Sequence, residues 1–319
     1  MERREIVEMN NQPLVSVPVI TYNSAKFVLE TLESIKAQTY QNIELIISDD
    51  CSTDNTIELC QWWIEQNKNR FVSTRIIAVD KNLGVAANLN RAEEACRGDW
   101  VKSVAGDDLL MPDCVSDYIE YVRKHPDVVY IFGRVLAFGS TAELNHHYSN
   151  VVFDYAFFDL SIDQQIEKLI FDTNCIPGAT VFYNRLRVKN YGIINDERIP
   201  FLEDWPKWIN VLNKGIKLHF VHKYMVRYRI HNGSLSTSNR ASSQMIASNF
   251  KFTLYYCYPK WVERNEDAAV ERLTKVYIQL YNDMLKIENQ YNQIVSSIAY
   301  RLGKFLLRPL SKIKAIFKL

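Results

Sequence analysis

An α/β fold built on a mostly parallel sheet is what this chain predicts, and three observations predict it. Short β-branched apolar runs recur through the first 140 of its 319 residues. Each run is followed by residues at helical spacing, and each crossover is too long for a hairpin. Turn chemistry rich in Asp and Asn gathers where the runs end. Strands alternating with helices in this way form βαβ units.

The elements follow in order. Leu14–Ile20 is the first strand, and Ser24 stands as N-cap before Val28, Leu32 and Ile35 at helical steps. Ile43–Ser48 is the second strand, and Asn55 with Glu58 reads as a capping box opening a helix over 56–68. Arg75–Val79 is the third strand, leading through Asn82-Leu83-Gly84 into a helix over 85–97. Trp100–Val104 is the fourth strand and runs into Gly106-Asp107-Asp108; a helix to His125 and a strand over Val128–Val135 follow. The next stretch is less regular, with helices near 162–171 and 204–214 and strands over Lys217–Val221 and Met225–Ile230. Beyond Ser236 the pattern is helical to Leu319, after a Ser/Asn-rich joint at 234–243.

Composition narrows the function. With 38 Lys+Arg against 37 Asp+Glu, the surface is not built for nucleic acid. The six cysteines have no CxxC spacing, which excludes a zinc ribbon or thioredoxin-type motif and fits a reducing compartment. The N-terminus lacks a signal-peptide core, and no run of ~18 apolar residues occurs. A cytoplasmic location is the expectation.

In open parallel sheets ligands bind at the carboxyl ends of the strands. That rule places Tyr22, Asp49-Asp50, Asn82 and Asp107-Asp108 on one rim. Thr21-Tyr22-Asn23 offers an aromatic face and two polar groups, suited to a stacked nucleobase or to an ordinary turn. A carboxylate of Asp49-Asp50 can accept from an imide N–H or from ribose hydroxyls; helix capping is the other use. Asp107 and Asp108 repel each other unless a positive charge lies beside them. A hard divalent cation holding a diphosphate resolves that repulsion, and a solvated capping turn is the alternative. Glu203-Asp204 opens an aromatic-rich helix, either as a dipole partner or as a general base in a Trp-lined pocket. The stretch Arg227–His231 is a basic strand end able to meet phosphate, or a plain surface strand.

Together TYN, DDCSTDNT, DKNLG, AGDDLLMP, FLEDW and YRIHNGS, in this order over residues 14–236, resemble the family 2 glycosyltransferases of the GT-A fold. The resemblance implies a Rossmann-like, mostly parallel sheet flanked by helices, with a helical C-terminal extension. It implies an inverting transfer from a nucleotide-diphosphate sugar, UDP-linked by family habit, to a glycan or lipid-linked acceptor. Thr21, Tyr22, Asn23, Asp50, Asn82, Gly84 and Asp107 match nucleotide-binding positions. Asp108, with His231, matches the metal ligands for Mn2+ or Mg2+, and Asp204 matches the catalytic base. Two departures stand out: Ala105-Gly106 leaves one acid out of the common Asp-x-Asp-Asp, and Ile20 replaces a usual proline, with Pro18 two residues earlier. A sugar-nucleotide nucleotidyltransferase would instead carry a Gly-rich basic loop where this chain has TYNSAKF. A non-catalytic binding protein need keep neither Asp204 nor Asp108.

The division expected is a flexible 1–13, a catalytic domain over 14–236 and a helical region over 237–319. The tail has Ile298, Leu302, Phe305, Leu306, Leu310, Ile313 and Phe317 on one stripe, with Arg301, Lys304, Arg308 and Lys312 on another face and no acid after Ser296. Such a basic amphipathic helix suits an anionic inner-leaflet surface, with docking on the protein's own core or a homodimer partner as the alternative.

Overall fold

The β-branched runs become strands that alternate with helices whose apolar faces cover them. The structure, a computed structural model, describes residues 12–139, 153–231, 243–265 and 267–279, with positions 281, 282, 285, 289 and 293 beyond. The elements are β1 (Val15–Thr21), α1 (Val28–Lys36), β2 (Ile43–Asp49), α2 (Thr56–Asn67), β3 (Ser73–Ala78) and α3 (Val85–Ala95), followed by the short β4 (Trp100–Val101), β5 (Val104–Ala105) and β6 (Leu109–Leu110). Next come α4 (Cys114–Lys124), β7 (Tyr130–Phe138), α5 (Ile162–Phe171), β8 (Phe182–Asn184), α6 (Arg185–Asn190), α7 (Asp204–Asn213) and β9 (Leu218–Arg229). Helices α8 (Ser243–Phe252) and α9 (Tyr258–Arg264) follow, joined by a π-helical turn at Thr253–Cys257.

The strands form one sheet in the order β3-β2-β1-β4-β8-β7-β9-β6, with β5 also on β1. The β3-β2-β1-β4 half is parallel, whereas β8 runs antiparallel to both neighbours. Strand β9 lies parallel to β7 and antiparallel to β6. The expected mostly parallel, helix-flanked sheet is therefore present, in the mixed form.

Two cores hold it. One packs Val17, Val19, Leu32, Ile35 and Trp63 between the parallel strands and helices α1 and α2. The other gathers Tyr130, Phe132, Phe157, Trp208 and Leu212 and continues into Phe252, Cys257 and Trp261 of the C-terminal helices. Each fully buried Leu, Ile, Val or Phe contributes about 1.5–3 kcal/mol relative to exposure. Helices α8 and α9 are pinned by directional bonds too: Trp261 Nε1 donates to the Ile170 carbonyl at 3.1 Å, and the Trp205 and Phe252 rings lie 4.4 Å apart. All six cysteines are free thiols.

Several local expectations change. Ser24 is no N-cap: its carbonyl accepts from Phe27 and Val28 one turn before α1 begins. The Asn55/Glu58 capping box does not form: Asn55 makes no side-chain cap bond, and the Thr56 amide at the helix start donates to Asp54 Oδ1 at 3.1 Å. The predicted fourth strand splits at Lys102-Ser103 into β4 and β5. The two strands expected over 217–230 are one, β9, whose register against β7 slips twice, between Phe132 and Arg134 and between Arg134 and Val135. That bulge swings the end of β9 onto β6, as a bulge does by bending its strand. Strand β8 was not legible; only three residues pair. Residues 1–11, most of the 234–243 joint and the basic tail lie outside the described residues.

Candidate active site

Register brings the strand ends together. Thr21 and Asp49 are partners at the carboxyl ends of β1 and β2, and Thr21 Oγ1 donates to Asp49 Oδ2 at 2.7 Å. Asp49 also accepts from the Ser52 amide at 2.8 Å and the Ser52 hydroxyl at 2.6 Å. Asn23 adopts a left-handed φ of 51°, a conformation that Asn tolerates well, and its Oδ1 accepts from the Thr53 amide at 2.8 Å. The two strand-end loops are thereby clipped to one another. Tyr22 stands clear of them, 49% exposed.

Asp50 is buried and fully engaged. Its Oδ2 accepts from the amides of Leu83 and Gly84, at 3.0 and 2.7 Å, and its Oδ1 pairs with Arg91 at 3.1 Å. Asn82 Oδ1 adds a third constraint, accepting from the Gly84 amide at 3.0 Å. Gly84 has φ +92°, and a Cβ there would sit 2.7 Å from the Pro200 carbonyl. Only glycine meets both conditions. Asp50, Asn82 and Gly84 thus shape the wall beside Tyr22.

Next to Thr21 lies the carboxylate turn. The Gly106 amide donates to the Ile20 carbonyl at 2.9 Å, and a Cβ on Gly106 would meet Thr21 Cγ2 at 2.9 Å. Asp108 is 2% exposed, and its Oδ1 accepts the Arg229 amide at 2.9 Å. Burial, then the neighbouring Asp107 charge, push the Asp108 carboxyl well above the ordinary range. Asp107 faces outward, its side chain 28% exposed, with Oδ2 3.0 Å from His231 Nε2. Arg229 locks this turn: Nε donates to the Asp107 carbonyl at 2.8 Å and Nη2 to Glu30 at 2.9 Å. Its guanidinium lies over the Phe27 and Phe138 rings, at 4.6 and 4.5 Å. The basic strand end read from the sequence therefore turns Arg229 inward.

Among the described residues no three His, Cys, Asp or Glu side chains converge as a metal site. Asp107 and His231 nonetheless bring an open carboxylate oxygen and an imidazole nitrogen together. That donor pair suits a divalent cation whose other ligands are phosphate and water oxygens.

Asp204, the first residue of α7, is held from two sides. Its Oδ2 accepts from Asn174 Nδ2 at 2.9 Å, and its Oδ1 from the Trp205 amide at 2.6 Å. Gly178 lies against it, so that a Cβ there would stand 3.0 Å from Oδ2. Burial raises the carboxyl's pKa, and these two hydrogen bonds oppose the rise. Burial and then the Asp204 charge raise Glu203 to about 7. Nearby Lys207 is buried on Glu93, at 2.9 Å. An oriented carboxylate of raised basicity is what removal of a hydroxyl proton requires.

Two participants escaped the sequence reading, and a third was read only as part of a basic strand end. Lys102 is wholly buried, its Nζ bonded to the carbonyls of Ser103 and Ala179 at 2.5 and 2.9 Å, and burial lowers its pKa to about 8. A lysine inside the apolar run WVKSV was the signal. Asn174 carried no pattern of its own, and the Arg227–His231 strand end gave no sign that Arg229 turns inward; their partners are 30 and 122 positions away.

Similar sequences and folds occur among known glycosyltransferases. The glucosyltransferase WfaP of Escherichia coli, named for transfer from UDP-Glc to GlcNAc-diphosphoundecaprenol, is 28% identical over 70% of this chain and 80% of its own. The putative teichuronic acid biosynthesis glycosyltransferase TuaG of Bacillus subtilis is 29% identical over 72% of this chain and 84% of its own. In structure, TarS of S. aureus, solved with UDP-GlcNAc, superposes with a TM-score of 0.59 at 18% identity. The match covers 76% of this chain and 66% of the TarS chain, and it establishes the GT-A fold. The model for glycosyl transferase family 2 matches residues 16–185, just over half of the chain. The chain belongs to glycosyl transferase family 2.

Proposed function

We propose that this glycosyltransferase moves a sugar from a UDP-linked donor to a hydroxyl of a glycan or lipid-linked acceptor, with inversion, in the synthesis of a surface polysaccharide. One observation carries the reading: a strand-end carboxylate, Asp107, stands 3.0 Å from His231, while a second carboxylate, Asp204, is held in one orientation by Asn174 and the Trp205 amide. The catalytic domain is taken as residues 14–236, with the region from 237 as its helical extension.

Roles follow from the environments. Thr21, Tyr22 and Asn23 receive the nucleobase, with Tyr22 as the exposed ring on which it stacks. Asp50, Asn82 and Gly84 form the adjoining wall, with Asp50 acting through the Gly84 backbone. Asp107 with His231 would hold Mn2+ or Mg2+, while buried Asp108 keeps its carboxylate on the Arg229 amide. This assignment reverses the preference for Asp108 as direct ligand, because Asp108 is the less accessible of the pair. When bound, the cation supplies positive charge to a departing diphosphate. Asp204 takes the acceptor hydroxyl's proton as the oxygen attacks the anomeric carbon. Asn174 and the Trp205 amide keep its lone pairs aimed, which shortens the search for a reactive geometry.

WfaP and TuaG support a polysaccharide setting, and UDP-Glc and UDP-GlcNAc are the first donors to try. Among the described residues no helix is long and apolar enough to cross a membrane. A cytoplasmic enzyme held peripherally at the inner leaflet by its basic tail fits a lipid-linked acceptor; a homodimer is the other use of that tail. A thermal-shift screen of nucleotide-sugars with Mn2+ tests the reading. A ligand at about 100 times its Kd adds about 2.7 kcal/mol of stability. No shift with any nucleotide-sugar, with or without metal, contradicts it.

A further inference from the structure

Lys102 is an unusual occupant of its place. It lies between β4 and β5, in the strand line next to β1, is fully buried, and ranks among the largest side chains completely removed from solvent. Burying an ammonium is costly unless its donors are used. Among the described residues no carboxylate pairs with it directly. Two of its three N–H donors go to backbone carbonyls, of Ser103 in its own chain segment and of Ala179 at 77 positions' distance. A hydrophobic residue would fill the space without that cost, so the lysine supplies something that volume alone does not.

What the two carbonyls belong to is informative. Ser103 leads through β5 into the Asp107-Asp108 turn, and the Lys102 charge acts on Asp108. Ala179 lies in the 177–180 turn, whose Gly178 packs against Asp204 Oδ2. The far end of that turn is held elsewhere: the Thr180 hydroxyl donates to the Pro177 carbonyl at 2.8 Å and accepts from the Gly133 amide of β7 at 3.1 Å, and the Tyr118 hydroxyl of α4 donates to the Thr180 carbonyl at 2.5 Å. Lys102 is its bond to the carboxylate turn.

We propose that Lys102 is a positioning residue for transfer: it fixes the 177–180 turn, and through Gly178 the Asp204 carboxylate, relative to the Asp107-Asp108 turn. The proposal rests on Asp204 acting as base and on the donor diphosphate lying at Asp107. The nucleobase wall is held by bonds that do not involve Lys102, those of Thr21 to Asp49 and of Gly84 to Asp50. Loss of Lys102 therefore disturbs the chemical step and spares donor affinity.

The test uses the full chain, UDP with Mn2+ for binding, and release of UDP from UDP-Glc or UDP-GlcNAc for turnover. Lys102→Met is expected to lower kcat at least tenfold, with donor KM and UDP Kd changed less than threefold. Gly178→Ala, which presses on Asp204 from the same turn, completes a double-mutant cycle. If both act through that turn, the double variant loses no more than about threefold beyond the worse single one. Multiplied losses, or an unchanged kcat in Lys102→Met, overturn the proposal. Should the methionine variant fail to fold, Lys102→Gln, which keeps two N–H donors on a shorter side chain, takes its place, with a smaller kcat loss expected and an unchanged kcat equally contrary. A wild-type protein that binds no UDP and hydrolyses neither donor refutes the functional reading itself, and the role of Lys102 falls with it. That failure is visible before any variant is made.

Discussion

Asn174 donates its side-chain N–H to Asp204 Oδ2 at 2.9 Å, joining the loop before the 177–180 turn to the first residue of α7. The bond favours the ionised carboxylate and so opposes the rise that burial causes. Asn174→Ala removes it, and the Asp204 pKa moves higher. Because the base must be ionised to accept a proton, the acidic limb of the kcat–pH profile shifts to higher pH. At neutral pH kcat falls about tenfold, less than the about 10²–10⁴-fold that loss of the base itself would cost. A profile unmoved along the pH axis contradicts the assignment.

Glu203 holds a proton in the fold, to about pH 7, that the unfolded chain releases near its ordinary value of 4.5. A raised carboxyl pKa means that the native state binds more protons through that window. Stability therefore falls as pH rises from about 4.5 to about 7. Glu203→Gln removes the dependence and stabilises the protein above pH 7 by on the order of 1–3 kcal/mol, at about 1.4 kcal/mol per pKa unit. Melting temperatures of both proteins across pH 5–8 check this; parallel curves refute it.

Gly84→Ala places a Cβ at φ +92° and 2.7 Å from the Pro200 carbonyl. Strain of this kind costs about 1–3 kcal/mol. The Gly84 amide also leaves Asp50, so UDP affinity falls with stability. Denaturant unfolding and UDP titration on one preparation measure both, and retention of either at the wild-type value is contrary.

The basic tail is argued from sequence alone. Truncation after Gln293 is expected to release the protein from anionic vesicles at low salt and to leave nucleotide-sugar binding unchanged. Each Lys or Arg near such a surface contributes about 1 kcal/mol. Full-length protein that ignores the vesicles assigns the tail to protein contacts.

What the sequence revealed was what strand periodicity carries. A buried β-branched run announces itself, and its end locates the loop, so Tyr22, Asp49-Asp50, Asn82 and Asp107-Asp108 could be placed on one rim from the sequence. The gap left between the two strands expected over 217–230 falls on the bulge of β9, whose pattern breaks because the register does. Contacts distant in sequence were not legible. The Lys102–Ala179 bond spans 77 positions, and Asp108 gave no local sign of being more buried than Asp107. The Asn55/Glu58 spacing matched the capping pattern, yet Asn55 makes no side-chain cap bond. A pattern names candidates for a bond; the local backbone decides whether it forms.

The central claim is a division of labour between the Asp107–His231 pair and Asp204. Titration of UDP into Asp204→Asn and Asp107→Ala, with and without Mn2+, tests it directly, alongside turnover of the donor. The account predicts that Asp204→Asn binds UDP as the wild type does while kcat falls about 10²–10⁴-fold, the usual reach of a general base. Asp107→Ala should lose tenfold or more of the Mn2+-dependent affinity. Equal loss of UDP affinity in the two variants would contradict the account.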